Sequence, residues 1–529
     1  MLLLLSLILL ESASAIVARA VSSDFTPPAS RNFTSLVAPT SGNAALPGDE
    51  CYDIRYCRTL GGLIQSCIVT ILACVWFAVH RNIPAPKVDH PHNSFFVRVL
   101  LFVWYKILDQ RQAATVFVVA LLVPEWVLAW ALRQFFVARR LTKKLEEARM
   151  AASQRQKTEI SEGQGVEKEA NDAADDGVED EPLAEFSSVS MHSEHDRLIK
   201  RQITSQDTFD SSQHPSSDAI RQAVYNQVAV ARFVGKFNEA WKIQHAFFII
   251  MGGYYFYNKN GPCYPLSPEV VVELVRRGHL VAPTSDELAN QSKGDALSKG
   301  VAILQTLWFV MQCIARRIEH LPVTSLEVMT LAYTVITVAM YIVWWDKPLN
   351  VSCAVRVPEE VIEDQDVVQY ESTWEHITAY AASSQDAYVD LRKCSRVPTF
   401  WAGDRDNDNI PADGIALLVA MIFGAVHCVA WTDGFPSPLE QWLWRASAIA
   451  MIAVPPVLAV SLSLVAVIGD ALSLSIRLIW IGIAIFLMPL ALIYIAARLT
   501  LIVISFTSLN MLPAAAYQNV EWIAFVPHI

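Results

Sequence analysis

Long apolar stretches alternate with polar segments along this chain, and the pattern predicts membrane-spanning helices. A helix needs roughly 20 apolar residues to cross a bilayer, and lipid cannot satisfy the hydrogen-bonding groups of an exposed backbone. Seven stretches meet or nearly meet this length: 61–79, 114–132, 297–315, 323–345, 414–431, 446–468 and 478–497. The sequence therefore predicts an all-α fold, a polytopic transmembrane helix bundle of about seven spans with a long disordered acidic insert.

The segments around these stretches predict how the rest of the chain is organised. The first residues combine an apolar run with the cleavage-like pattern Ala18-Arg19-Ala20, as signal peptides do. The predicted regions are a signal peptide or anchor (1–20), a flexible extracytoplasmic tail (21–60), the first two membrane spans (61–138), a disordered acidic insert (139–224), amphipathic or interfacial helices (225–296), a span hairpin (297–345), an extracytoplasmic acidic loop (346–413) and a C-terminal membrane bundle (414–529).

Composition and charge agree with a membrane protein. Of the 529 residues 53% are hydrophobic and 18% charged, with a mean hydropathy of +0.32, whereas soluble domains carry about 25% charged residues. The net charge of −11 has a local origin, because residues 145–196 hold 15 acidic and 4 basic side chains. Few aromatic residues lie there, so the segment is predicted to be disordered. A nucleic-acid partner is not expected.

Parity and charge predict which loops face the cytosol. With the N-terminus outside, the loops 80–113, 316–322 and 432–445 and the C-terminus are cytosolic, and the bases of these loops agree with the positive-inside rule. The extracytoplasmic side then holds the three glycosylation sequons, at Asn32, Asn290 and Asn350. The basic residues within 133–144 disagree with this arrangement.

A second threading stays open. Pro124 and Glu125 interrupt the stretch 114–132, which in this alternative does not span the membrane. The acidic segment is then cytosolic, and many of the later assignments reverse.

Cysteines outside the predicted spans suggest disulfides on the extracytoplasmic face, where oxidation is favoured. Cys51 and Cys57 are candidates for one bond, and Cys353 and Cys394 for a bond that closes the loop 346–413. With Cys263 the count is odd, so one thiol is left over and the sequence does not fix the connectivity.

Polar residues inside the predicted spans are the main candidates for function, because ionisable groups at bilayer depth are costly. Candidates for a polar cavity that passes an ion or a small polar solute are Glu125, Gln305, Gln312, Glu327 and His427. The alternative is structural: such groups also hydrogen-bond helices together. For Glu327 the structural alternative is an ion pair with Arg316 or Arg317.

Motifs of known enzymes are missing from the sequence, including H-E-x-x-H, G-x-S-x-G, the P-loop and G-x-G-x-x-G. Asp404, Asp406 and Asp408 stand at positions 1, 3 and 5 of a calcium-type loop, but the glycine and the final glutamate of that loop are absent. We therefore expect no cofactor, no metal and no catalytic residue.

Three functions remain open at this stage. The first is a non-enzymatic membrane protein of receptor-like or structural type. The second is a transporter or channel, and the third a membrane-embedded enzyme that modifies lipid. The bilayer is the expected partner, protein partners are unknown, and the expected location is a membrane of the secretory pathway or the plasma membrane.

Six strings give the chain a family resemblance. They are SCIVTILACVWFAVHRNIPAP (66–86), LLVPEWVLAWALRQ (121–134), SKGDALSKGVAILQTLWFVMQCIARR (292–317), LPVTSLEV (321–328), WWDKPLNV (344–351) and LPAAAYQNVEWIAFVPHI (512–529). On these strings the chain resembles a large group of functionally unassigned multi-pass membrane proteins of fungi, mainly basidiomycetes. The resemblance implies membrane embedding and fungal origin, and it carries over no functional residue.

Overall fold

The structure is a computed structural model that describes residues 57–86, 113–172, 240–292, 296–362, 373, 379, 385–403, 410–432, 434–471 and 476–521. Most of these residues are helical. The helices are α1 (Leu60–Ala78), α2 (Ala113–Leu122), α3 (Pro124–Asp172), α4 (Ile243–Ile250), α5 (Pro268–Arg277), α6 (Ser285–Gln291), α7 (Ala296–Ile318), α8 (Ser325–Val343), α9 (Ile410–Val426), α10 (Pro438–Ala471) and α11 (Ile476–Thr507). The strands are β1 (Tyr254–Asn258), β2 (Gly261–Pro265) and β3 (Val355–Pro358).

Five helical segments are long and apolar enough to cross a membrane: Lys299–Ile318, Ser325–Val343, Pro411–Ala430, Pro438–Ser461 and Met488–Met511. The chain is thus a mostly helical, multi-pass membrane protein. The first predicted span forms the apolar helix α1 of 19 residues. The second does not form one helix, because the chain bends by 112° between α2 and α3. The bend falls just before Pro124, whose ring prevents a regular helix from continuing.

The last apolar helix continues further than the sequence suggested. The predicted span 478–497 ends one residue before Arg498. In the structure α11 continues to Thr507, and the candidate span Met488–Met511 contains Arg498. Arg498 is fully buried, at 0% exposure.

By their internal contacts the residues form two compact units. The first unit comprises Met1–Trp76, Gly300–Val338 and Leu417–Ile529, and the second comprises Phe77–Lys299 and Ala339–Ala416. Within the first unit α10 packs against α11. Within the second unit α3 packs against α4 and α5.

A three-stranded sheet in the second unit corrects the all-α prediction. The strand order is β2-β1-β3, with β1 antiparallel to β2 and parallel to β3. β1 and β2 lie in the region 225–296, for which the sequence predicted amphipathic or interfacial helices. The helix ends because Gly252 has φ +90°, a conformation that glycine adopts without steric cost. Tyr254, Tyr255 and Phe256 are then buried within the unit.

The beginning of the predicted disordered insert is helical. α3 continues to Asp172, so residues 139–172 do not fit the disorder predicted for 139–224. Two causes are visible: strong helix formers dominate this stretch, and Leu141, Leu145 and Ala148 are buried on one side of the helix. The rest of the predicted insert lies outside the described residues, as does the predicted signal peptide.

Candidate functional site

Glu327 lies in a buried ion-pair cluster of the first unit. Its side chain is 6% exposed and is paired with the Arg58 guanidinium, whose Nη2 lies 3.1 Å from Oε2. The backbone N–H of Thr324 donates to the same carboxylate oxygen at 2.8 Å, and the Thr324 hydroxyl donates at 3.0 Å. The ion pair expected from the sequence therefore forms with Arg58 rather than with Arg316 or Arg317.

Arg316 and Arg58 also bind the backbone near the C-terminus. Arg316 donates from Nη1 to the carbonyl of Gln518 at 2.7 Å and from Nε to that of Pro322 at 3.1 Å. Arg58 donates from Nε to the carbonyl of Ala516 at 2.7 Å. Residues 57–59, the turn between α7 and α8, and residues 513–518 thus meet at one place, which we call the Arg58–Glu327 cluster.

The other predicted polar residues of the first unit have partners of their own. The Gln305 amide donates to the Thr70 hydroxyl at 3.2 Å. His427 is fully buried, and its Nδ1 bonds the Phe423 carbonyl at 2.8 Å. Gln312 is half-buried on α7. Gln305, Glu327 and His427 are thus held by different groups, and their hydrogen bonds join neighbouring helices or turns of one helix.

Glu125 belongs to the second unit, in the first turn of α3. It is 8% exposed. A carboxylate in this position is favoured by the helix dipole, since the N-terminus of a helix carries partial positive charge. The four other candidates of the predicted cavity, Gln305, Gln312, Glu327 and His427, belong to the first unit.

A buried lysine cage in the second unit is the main polar site that sequence reasoning missed. Lys347 is 1% exposed, and its ammonium donates to the His80 carbonyl and, at 2.8 Å, to Oε1 of Gln134. The same nitrogen lies 4.8 Å from the ring centroid of Trp130 and 4.5 Å from that of Trp344. Cation–π contacts of this kind are strongest where water is excluded. The four surrounding residues and Lys347 form what we call the Lys347 cage.

Hydrogen bonds to the backbone hold the walls of the Lys347 cage. The Gln134 amide donates to the Trp401 carbonyl at 2.7 Å, and Trp130 donates from Nε1 to the same carbonyl at 2.8 Å. Trp344 donates to Oε1 of Gln134 at 3.1 Å. The sequence analysis placed Trp344 at the end of a predicted span and Lys347 in the loop that follows it. Trp345 is 67% exposed, whereas Trp344 and Lys347 are buried.

Burial governs the protonation of the Lys347 cage. Loss of hydration lowers the pKa of Lys347 well below its ordinary value. Burial also lowers the pKa of His80 to about 3, helped by the positive charges of Lys299 and Lys347. His80 is therefore neutral at physiological pH. Its Nδ1 bonds the Ala78 carbonyl at 2.9 Å, and its Nε2 has no hydrogen-bond partner among the described residues.

A second cation–aromatic cluster surrounds Arg498 in the first unit. Its guanidinium carbon lies 4.1 Å from the ring centroid of Phe423 and 5.4 Å from that of Tyr333. The His427 ring is 5.0 Å from Phe423, and Trp444 donates from Nε1 to the His427 carbonyl at 3.1 Å. These contacts place a charged side chain at the packing surface of α8, α9 and α11.

An exposed basic patch follows the buried part of α3. Arg139, Arg140, Lys143 and Lys144 are all exposed. One to two turns earlier, the Arg133 guanidinium is paired with Asp413 at 2.7 Å. Arg133 is thus tied to the first turn of α9, while the four later basic residues face solvent.

The predicted disulfides have different outcomes. Cys353 and Cys394 are free cysteines in the structure, so the bond proposed between them is not present. Cys263 is also free. Cys57 is disulfide-bonded, and Cys51, its predicted partner, lies outside the described residues.

The sequons and the acidic loop complete the predicted sites. Asn290 and Asn350 are exposed. In the Asn290 sequon, the Ser292 hydroxyl donates to the Leu349 carbonyl and accepts from the Leu349 N–H, both at 3.0 Å. Asn32 lies outside the described residues, as do Asp404, Asp406 and Asp408. Among the residues that are described, no three His, Cys, Asp or Glu side chains converge as a metal ion would require.

Comparison with known proteins gives one match. Residues 212–413 and 406–529 match the model of DUF8562, described as a family of unknown function. No curated protein and no solved structure matches the chain.

Proposed function

We propose that this chain, which belongs to the DUF8562 family of unknown function, is a non-enzymatic membrane protein of structural or receptor-like type. One observation carries the proposal: three of the polar side chains in its candidate spans are bonded within the chain. Glu327 is held by Arg58 and Thr324, Gln305 by Thr70, and the Nδ1 of His427 by the Phe423 carbonyl one turn earlier. The bond between Gln305 and Thr70 joins two helices, and the other bonds hold Glu327 and His427 in place.

Transport of an ion or small polar solute is the second candidate. Its support is the pair of buried groups around Phe423, since Arg498 stacks on that ring and the Nε2 of His427 has no hydrogen-bond partner in the described part of the chain. Buried ionisable groups in spans often mark ion pathways. The packing of both rings against Arg498 and Trp444 favours the structural role.

Ion flux into proteoliposomes separates the two candidates. We expect vesicles that contain the protein to leak protons, Na⁺ and K⁺ no faster than empty vesicles, and a His427→Phe variant to behave identically. A flux that the native protein supports and the variant lacks would overturn the structural proposal. Thermal unfolding of both proteins shows whether the variant is folded.

The membrane threading is part of the proposal, and it differs from the predicted seven alternating spans. Residues 57 and 58 contact Glu327 and residues 516–518, so these segments lie on one side of the membrane. Residues 80–83 contact Lys347, Pro398 and Met251, so these also share a side. The alternating scheme put the members of each set on opposite sides, which does not fit these contacts.

Six crossings satisfy both sets of contacts. They are α1, α7, α8, α9, α10 and α11, and the bent pair of α2 and α3 does not cross. An even number of crossings returns residues 508–521 to the side of residue 57, as the Arg58–Glu327 cluster requires. With about 1.5 Å rise per residue α1 is about 28 Å long, close to the thickness of a bilayer core.

Cysteine chemistry and charge orient this threading. Cys57 is disulfide-bonded whereas Cys263, Cys353 and Cys394 are free, and disulfides form outside the cytosol. The basic residues of α3 that contradicted the seven-span scheme now face the cytosol, as the positive-inside rule favours. We therefore propose that residue 57 and the segment 508–521 are extracytoplasmic, and that 80–86, 113–299 and 344–410 are cytosolic.

The finer localisation follows from the same proposal. A signal peptide or anchor at 1–20 directs the chain to a membrane of the secretory pathway or the plasma membrane. The chain is a glycoprotein through Asn32, and fungal origin rests on the sequence resemblance.

Glycan mapping tests the threading. We expect the whole glycosidase-sensitive shift of the expressed protein to disappear in an Asn32→Gln variant, because Asn290 and Asn350 are cytosolic. A residual shift in that variant, removed by a further Asn350→Gln change, would contradict the six-crossing arrangement.

A further inference from the structure

Four basic side chains of α3 form a continuous positive surface. At 100° per residue, Arg139, Arg140, Lys143 and Lys144 cover an arc of about 140° over little more than one helical turn. All four are exposed. Arg139 also lies over the Phe135 ring, at 5.7 Å from its centroid. We call this surface the basic ladder.

The basic ladder begins close to the ends of two membrane-spanning helices. Arg133 is paired with Asp413, two residues after the start of the span Pro411–Ala430. Gln134 bonds Lys347, four residues after α8 ends. Five residues separate Gln134 from Arg139, which is about 7.5 Å along the helix. That distance lies within the screening length of about 8 Å at physiological ionic strength.

Little acidic charge on the described part of α3 neutralises the basic ladder. Glu146 is paired with Arg149 and accepts a hydrogen bond from the backbone of Trp241 at 3.1 Å. Glu147, one turn beyond Lys143, is the exposed acid nearest in sequence. On this part of α3 four exposed basic side chains thus stand against one exposed acidic side chain, Glu147.

We infer that the basic ladder binds the headgroups of anionic phospholipids in the cytosolic leaflet. Juxtamembrane clusters of lysine and arginine are attracted to that leaflet because it is rich in anionic lipid. Arginine forks bind phosphate oxygens in pairs, and lysine adds a mobile point charge. This inference rests on the proposed threading only for the choice of leaflet, because the threading places the basic ladder on the cytosolic side. The binding of anionic headgroups does not depend on the threading.

Native mass spectrometry of the full-length protein tests lipid binding directly. The protein is reconstituted into vesicles of phosphatidylcholine with 30% phosphatidylserine, about the anionic content that the inference concerns, and the bound lipids are counted after release. We expect the ratio of bound phosphatidylserine to bound phosphatidylcholine to be about tenfold higher than the ratio in the vesicle, as a few charge contacts near the surface allow. The enrichment should fall near parity at high salt.

Charge-matched variants identify the surface. The ladder variant changes Arg139, Arg140, Lys143 and Lys144 to Gln, and it should lose the enrichment. The control variant makes the same change at exposed basic residues elsewhere in the second unit, Lys259, Arg276, Arg392 and Lys393, and it should keep the enrichment. Equal thermal unfolding of both variants shows that both are folded.

Two results would overturn the inference. One is enrichment that persists in the ladder variant. The other is a native protein that binds the two lipids in the same ratio as the vesicle contains them. That result would also follow if the chain's own acidic residues in 145–196 bound the basic ladder. The vesicles carry the same lipids in both leaflets, so an error in the proposed threading does not change the measured lipid enrichment. Such an error is detected by glycan mapping instead.

Discussion

Two buried charges of this chain each bind a partner that lies far away in sequence. Glu327 pairs with Arg58, 269 residues earlier, and Lys347 bonds the carbonyl of His80, 267 residues earlier. Sequence alone identified Glu327 as a costly charge in a span and expected an ion pair. It could not identify Arg58, because such a pair depends on which helix ends meet in three dimensions.

Replacing Glu327 should be far more costly than replacing an exposed acid. Glu327→Gln leaves Arg58, whose side chain is only 19% exposed, without its counter-charge, and breaking a buried pair costs about 3–5 kcal/mol. The matched control is Glu273→Gln in α5, whose pairs with Arg276 and Arg277 are exposed and contribute less than about 1 kcal/mol. Thermal unfolding in detergent measures both. Equal losses in the two variants would show that the Arg58–Glu327 cluster does not stabilise the fold.

The buried imidazole of His80 makes stability depend on pH. Its pKa is about 3 in the folded protein and 6.5 as the ordinary value, so between these values the unfolded state binds more protons than the native state. Stability must therefore fall as the pH drops below 6.5. This group alone should remove about 1 kcal/mol between pH 7 and pH 5.5.

A His80→Phe variant removes that titration while it keeps an aromatic ring beside Trp344. Its unfolding temperature should decline less than that of the native protein between pH 7 and pH 5.5. Identical pH profiles of the two proteins would mean that His80 is accessible to protons in the folded state.

At the scale of the element, close helix packing in the first unit depends on one glycine of α9. A Cβ atom at Gly424 would stand 2.9 Å from the backbone of Met451 and of Ile452 in α10, a contact that only a shift of one helix relieves. Gly414 of the same helix has nothing within 4 Å of that position. The two glycines thus separate the effect of packing from that of helix propensity.

Gly424→Ala should destabilise the protein by about 1–3 kcal/mol, the usual cost of overpacking. Gly414→Ala should be neutral or stabilising by up to about 1 kcal/mol, because alanine is the better helix former. The unfolding temperatures of both variants check this difference. A stabilising effect at both positions would show that α9 and α10 are not in close contact there.

The elements predicted best from the sequence are the helices that contain long apolar runs. Apolar runs located α7, α8 and α9 to within a few residues, because only a helix satisfies the backbone in lipid. The errors fall where the signal is short or mixed. β1 begins with a run of four aromatic residues, and only its pairing with β2 and β3 shows that it is a strand. α3 continues through a charged stretch because its apolar positions, such as Leu145, are buried within the second unit.

For the whole molecule, composition was enough to predict a multi-pass membrane protein, but parity was not enough to thread it. One span more or fewer reverses every later side, and the stretch 114–132 is interrupted by the bend of 112° before Pro124. The basic residues of 133–144 already favoured the second threading in the sequence, because they disagreed with the seven-span scheme. Contacts such as that of Asn82 with Pro398, at 2.9 Å, support the threading that we propose.

The central claim is that six helices cross the membrane and leave Cys353 in the cytosol. Cys353 is exposed and free, so a membrane-impermeant maleimide can report its side directly. The matched reporter is Glu521→Cys in a Cys353→Ser background. Position 521 is exposed and lies on the proposed extracytoplasmic side, and the contact of its backbone N–H with Glu319 does not need its side chain.

The deciding measurement is maleimide labelling of these two proteins in intact and in permeabilised cells. We predict that Cys353 is labelled only after permeabilisation, whereas the cysteine at position 521 is labelled in intact cells. Labelling of Cys353 in intact cells, with the Cys353→Ser protein as the blank, would contradict the threading and with it the cytosolic basic ladder.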